Sequence, residues 1–148
     1  MQEIRIGAAQ FEPRDNDTAY NLSRIESLTA RAVEMGANIV SFHECCIQGY
    51  TFLMTLTRNQ LLEIAEPVPD GPSTQKLIEL SKQYEVPILA GLLERDGDRM
   101  YNTYVAVKQD GFVAKHRKLH AFISDHIDSG DSFTTFELCG WPCGILIC

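Results

Sequence analysis

Two short apolar runs, over residues 4–10 and 37–42, flank one amphipathic helical stretch, and this succession constrains the chain more than any other feature. Residues 4–10 read as a buried strand that ends where Phe11-Glu12-Pro13 breaks the pattern. Asp15, Asn16 and Asp17 then offer N-caps for a helix. Leu22, Ile25, Leu28, Ala32 and Met35 recur at the three-and-four spacing of a single apolar face, and Gly36 stands where a C-terminal glycine cap belongs. Strand, helix and strand together form a βαβ unit whose helix packs on a sheet and whose second strand ends just before Glu44. Functional groups collect at such strand ends.

Downstream, residues 57–65 read as a looser helix, and Asp70-Gly71-Pro72-Ser73 starts another that runs to about residue 84. Residues 87–94 form the next strand. Asp96-Gly97-Asp98 turns it into 101–108, and Asp110-Gly111 turns that into 112–118, which makes a three-stranded meander. Residues 133–138 read as strand, Gly140-Trp141-Pro142 as a turn, and 144–148 as a strand. There is no internal repeat and no low-complexity segment. A chain that stops inside an apolar strand leaves it without cover, so residues 1–148 are expected to be the N-terminal part of a single, truncated domain.

Composition narrows the function classes. With 45% hydrophobic and 22% charged residues in 148, there is apolar material for one core. A net charge of -7 argues against nucleic acid or an anionic membrane as partner, since both require clustered cations. The one basic cluster is Lys115, His116, Arg117, Lys118 and His120, which on composition alone is a solvated strand end or a weak anion patch. No apolar run approaches the ~20 residues of a membrane span, and MQEIRIGAAQF is unlike a signal peptide, so a cytoplasmic location is expected. Five cysteines at irregular spacing point to reduced thiols rather than a disulfide framework. Cys139, Cys143 and Cys148 lack a CxxC knuckle and no histidine follows them, so no metal site is expected.

Three segments carry candidate chemistry: SFHECCIQGY around Glu44, KHRKLH around Lys118, and CGILIC ending at Cys148. Taken singly, Glu44 is a solvated strand-end acid, Lys118 a surface cation and Cys148 a buried small hydrophobe. Taken in order, each resembles one arm of the Glu-Lys-Cys triad of the nitrilase superfamily of carbon-nitrogen hydrolases. IGAAQF and the AGLLERDGDRMYNTYVAV meander are also similar to that family's N-terminal half, so the resemblance spans essentially the whole chain. It implies a four-layer α-β-β-α sandwich, of which this chain supplies about half: one sheet with its covering helices.

The resemblance also implies roles. Carbon bonded to nitrogen in an amide or nitrile is a poor electrophile, so its hydrolysis near neutral pH benefits from a thiolate and a covalent intermediate. Cys148 is the implied nucleophile. A free thiol titrates near ~8.5 and needs a base or cation beside it. Glu44 is the implied general base and acid, and Lys118 the implied oxyanion stabiliser. The scheme requires no metal and no organic cofactor. Tyr50 and Phe52 are candidates for a substrate-pocket wall, with core packing as the equal alternative; packing is also the reading for Cys45 and Cys46.

Two departures from the family pattern stand out. His43 occupies a position where many members have proline, and AFISDHIDSGD holds no second glutamate beyond the lysine. Asp125, Asp128 and His126 are the candidates for that glutamate's place, beside a plain reading of the segment as a polar surface loop. The expected activity is hydrolysis of small amides or N-carbamoyl compounds by the full-length protein, as a homodimer or larger oligomer, with residues 1–148 alone inactive. A true nitrilase is the nearest alternative. A non-catalytic binding protein of the same fold and a thiol redox protein are the alternatives of other classes.

Overall fold

Asp17 begins the first helix by accepting a 3.0 Å hydrogen bond from the Tyr20 amide, and Gly36, at φ +81°, follows its end. In the computed structural model, which describes residues 3–148, that helix is α1 (Thr18–Glu34). It connects β1 (Ile6–Ala8) to β2 (Ile39–Ser41), and the two strands pair in parallel as the βαβ pattern predicts. A 3-10 turn at Thr51–Thr55, α2 (Arg58–Ile64) and α3 (Pro72–Tyr84) then lead to β3 (Ile88–Asp96), which pairs in parallel with β2. Thr57 and Gln60 close a reciprocal capping box at the start of α2. β4 (Arg99–Lys108) and β5 (Gly111–Arg117) complete the antiparallel meander, giving one sheet in the order β1-β2-β3-β4-β5.

Helices α1 and α3 cover one face of this sheet. Ile25, Leu77 and Leu80 meet Val40, Ala90, Leu92, Val105 and Val107 in the main core. A second cluster lies under α2 and the 3-10 turn, where Cys45, Leu53, Leu61, Leu93 and Met100 pack together. The α/β class, with a five-stranded sheet and its covering helices, agrees with expectation, while the final hairpin forms a separate two-stranded sheet.

Three local expectations are corrected. β1 is not a buried strand: it has only β2 as a neighbour among the described residues, and Ile6 is 60% exposed at that edge. Met35 lies past the last helical residue as the C-cap, and it is exposed rather than part of the apolar face. The final hairpin turns earlier than predicted. β6 (Thr134–Leu138) and β7 (Trp141–Ile145) are joined by Cys139 and Gly140, both at positive φ, the twist that two-residue hairpins favour. Trp141 and Pro142 therefore belong to the strand. β7 ends at Ile145 because Ile145 pairs with Thr134, the first residue of β6. Residues 146–148 have no ladder partner among the described residues, so they are not strand.

Candidate active site

Beyond β2 the chain enters a tight turn at residues 44–48, and its anchoring explains where Glu44 sits. Cys45 packs into the second cluster while Cys46 and Ile47 pack into the main core, so consecutive residues fasten the turn to two cores. The buried Asn21 amide donates to Ile47 O at 2.9 Å, and Gln48 Oε1 accepts from the Leu93 amide at 2.9 Å. The turn lies directly on β3. A Cβ at Gly91 would stand 2.3 Å from the Cys45 nitrogen and 2.8 Å from the Glu44 Cα. Both are backbone atoms that cannot move aside cheaply. Gly91→Ala is therefore expected to cost about 1–3 kcal/mol, read as a lower urea midpoint, and to displace Glu44.

Lys118 is positioned by β4 and by the returning chain. Its amide donates to Asn102 O at 2.8 Å, and its carbonyl accepts from the Gly130 amide at 2.8 Å. A Cβ at Gly130 would lie 2.4 Å from Arg117 O, so only glycine lets the chain return this closely. Strand alternation divides the basic cluster rather than leaving it as one solvated patch. Lys115 and Arg117 turn to the buried Glu94, while His116 and Lys118 are each only 2% exposed on the other side. Lys118 is thus no surface cation.

The Lys118 Nζ donates to Glu44 Oε1 at 2.7 Å, and Asn102 Nδ2 donates to the same oxygen. Burial works against the Lys118 ammonium, but the hydrogen bond and charge of Glu44 outweigh it and hold the lysine pKa above its ordinary value. The Tyr50 and Phe122 rings flank the ammonium, with centroids 5.5 and 4.6 Å away. His43 Nδ1, which must carry the proton because its partner is a carbonyl, donates to Glu44 O at 3.2 Å. This bond holds the chain just before Glu44.

Cys148 is exposed and lines a cleft of about 360 Å³ together with Glu44, Ser41, Phe42, Leu89 and Tyr104. Burial pushes the Tyr104 hydroxyl up to about 12, so it stays a donor, and it bonds Phe42 O on the cleft wall. A second cleft, of about 630 Å³, reaches Glu44 from the side of Tyr50, His43 and residues 10–15. The other two thiols near Glu44 differ from Cys148. Cys45 and Cys46 are fully buried, which raises the first well above the usual thiol range and the second to about 12.

Among the weaker candidates, Tyr50 borders the site, and Phe52 packs against the second core cluster. Asp125 and His126 lie exposed on the loop that follows Lys118, and no described hydrogen bond or ion pair joins either to Glu44 or Lys118. Asp128 pairs instead with Arg99 at 3.2 Å. Two residues that sequence reading passed over prove central: Asn102, against Glu44, and Glu94, under β5. Each is a polar side chain in or beside a strongly apolar strand, and that mismatch is the signal by which they are detectable.

Residues 5–148 match the carbon-nitrogen hydrolase family. The chain is 34% identical over 148 residues to a nitrilase of Pyrococcus abyssi, covering 98% of this chain and 55% of that protein. It is 36% identical over 161 residues to an omega-amidase of Mus musculus, covering 100% and 55%. An amidase from Nesterenkonia sp. superposes with a TM-score of 0.79 at 18% identity, over 98% of this chain and 55% of that structure. The chain thus spans about half the length of the relatives it matches.

Proposed function

Because this chain belongs to the carbon-nitrogen hydrolase family, we propose that the intact protein hydrolyses small amides or N-carbamoyl compounds through a thioester on Cys148. The observation that carries this reading is the buried Lys118 ammonium, 2.7 Å from Glu44 Oε1, beside a cleft that Glu44 shares with Cys148. Both described hydrogen bonds to the carboxylate enter Oε1, so Oε2 is the oxygen left to handle protons.

The steps follow from these groups. Cys148 Sγ adds to the carbonyl carbon as its proton passes to Glu44 Oε2, and Lys118 stabilises the oxyanion that forms. Collapse breaks the C–N bond, with Glu44 returning that proton to the departing nitrogen. Water then loses a proton to Glu44 and attacks the thioester carbon. The second tetrahedral species expels the Cys148 sulfur, which regains its proton, and the acid leaves. With a nitrile the same groups act: the Cys148 sulfur adds to C≡N to give a thioimidate, a first water adds to its carbon and ammonia leaves, and a second water hydrolyses the thioester that results. The name of the Pyrococcus abyssi relative supports that second reading.

Iodoacetamide labelling tests the nucleophile before any substrate is known. Cys45 and Cys46 are buried and react slowly whatever the mechanism, so the deciding comparison is Cys148 against Cys139, both exposed. In the intact protein Cys148 should be alkylated well ahead of Cys139, and equal rates would count against an activated thiol. A panel of amides, N-carbamoyl compounds and nitriles, read by ammonia or amine release, then assigns the substrate class. Release from none of them would overturn the hydrolase reading.

A further inference from the structure

Asn102 is 1% exposed, on a strand whose other inward residues are mostly apolar, and both ends of its amide are occupied. Nδ2 faces Glu44 Oε1, and Oδ1 accepts from the Cys45 thiol at 3.3 Å. The orientation of the amide follows from its neighbours. A carboxylate oxygen can only accept, so the amide must present its NH2 to Glu44 and its oxygen to a donor. Cys45 is that donor, and it stays one because burial, with the Glu44 charge beside it, keeps the thiol protonated. The same asparagine receives the Lys118 amide on its backbone carbonyl. One residue therefore touches the Glu44 carboxylate through its side chain and the Lys118 backbone through its main chain.

We propose that Asn102 is a positioning residue for Glu44, held in orientation by the Cys45 thiol, so that Oε1 is fixed between Asn102 and Lys118 while Oε2 remains for proton transfer. This rests on the functional reading above and deepens it. Lys118 alone does not restrain the carboxylate in the same way, because a single flexible ammonium leaves the carboxylate plane able to rotate. A second, rigid donor on the same oxygen removes that freedom. Cys45 thereby gains a purpose beyond packing: it prevents the amide from flipping. The ionisable groups around Glu44 are Lys118, Tyr50 and Cys45, with Tyr104 and Cys148 on the cleft it lines and His43 preceding it in the chain.

The test uses the intact protein and the variants Asn102→Leu, which keeps the shape without the hydrogen bonds, and Asn102→Asp, which keeps the shape but turns the donor into an acceptor. Expected for both is a fall in kcat on the order of 100-fold, the scale on which small misplacements act, with KM little changed. The acidic limb of kcat/KM should also move toward higher pH, because a carboxylate that loses a donor or gains a negative neighbour is easier to protonate. Asn102→Asp should move it further. A 13C titration of the Glu44 carboxylate, assigned against Glu44→Gln, should show the same displacement without reference to turnover. If the parent protein hydrolyses nothing but the 13C midpoint moves, the hydrolase reading fails and the positioning contact stands. Parent-like kcat, acidic limb and 13C midpoint in folded Asn102→Asp would overturn the proposal, as would a loss confined to KM. Asn102→Asp serves if Asn102→Leu does not fold.

Discussion

Replacing Cys148 with alanine in the intact protein should abolish turnover, by on the order of 10⁴-fold or more, because every bond-making step in the proposed cycle passes through its sulfur. Stability should hardly change. Within residues 1–148 Cys148 is exposed, so deleting its sulfur there opens no buried cavity, and a surface substitution of this kind typically shifts stability by no more than about 0.5 kcal/mol. Mass spectrometry after incubation with substrate should lose the acyl adduct at the same time. Hydrolysis that survives in the alanine variant would exclude Cys148 as the nucleophile. Lys118→Ala is a less clean probe. It removes an oxyanion donor, typically about 3 kcal/mol of transition-state stabilisation, and also strips Glu44 of its cation.

Glu94→Ala should destabilise the fold by about 3 kcal/mol, measured by urea or thermal unfolding. Glu94 is 1% exposed and accepts from Thr103 Oγ1 at 2.6 Å, from Lys115 Nζ at 2.5 Å and from Arg117 Nε and Nη2 at 3.0 and 2.6 Å. Alanine leaves all of these donors facing a void. Breaking a buried ion pair from one side typically costs about 3–5 kcal/mol, and the lower end applies because water reaches the Lys115 and Arg117 side chains, which are 32% and 24% exposed. Arg117 also keeps Asp96 at 2.8 Å. Glu94→Gln, which preserves the shape and one accepting oxygen, should cost less.

The same clamp predicts an acid response. Burial alone would raise the Glu94 carboxyl, but the hydrogen bonds from Arg117, Lys115 and Thr103 together hold it below the usual glutamate value. A carboxyl with a lower pKa in the folded than in the unfolded chain adds stability that is complete above the unfolded value, ~4.3. That stability is lost as pH falls through the folded value. Stability of the parent should therefore decline below that range, and Glu94→Gln should flatten the decline. Equal acid sensitivity in the two proteins would show that the clamp contributes nothing. Arg117 directly precedes Lys118, so the clamp also fixes the end of the strand that presents the cation to Glu44.

The elements legible in the sequence are those whose signals are local. The α1 cap at Asp17, the glycine after its end and the aspartate-glycine turns of the meander each depend on residues only a few positions apart, and all form where their patterns lie. The departures from the local patterns have a common origin. Residues 4–10 and 144–148 are apolar, but whether an apolar segment is buried or laddered depends on which strand lies beside it. The last hairpin departs from its pattern because proline in Trp141-Pro142 reads as a turn, whereas Pro142 sits in a two-stranded ribbon where an edge tolerates it.

The amino-acid sequence by itself determined the order of strands and helices, the position of Glu44 just past a strand, and a family resemblance that singled out Glu44, Lys118 and Cys148. Only the tertiary structure brought Glu44 to Lys118 across 74 positions and interposed Asn102 between Glu44 and a buried thiol. Helix periodicity and caps are written in neighbouring residues, but a contact between distant side chains requires sheet register, a glycine that admits a turn onto a strand, and burial that strengthens the charges it encloses. Those conditions are met at Gly91 and along the β4–β5 ladder, and they exist only once the chain has packed.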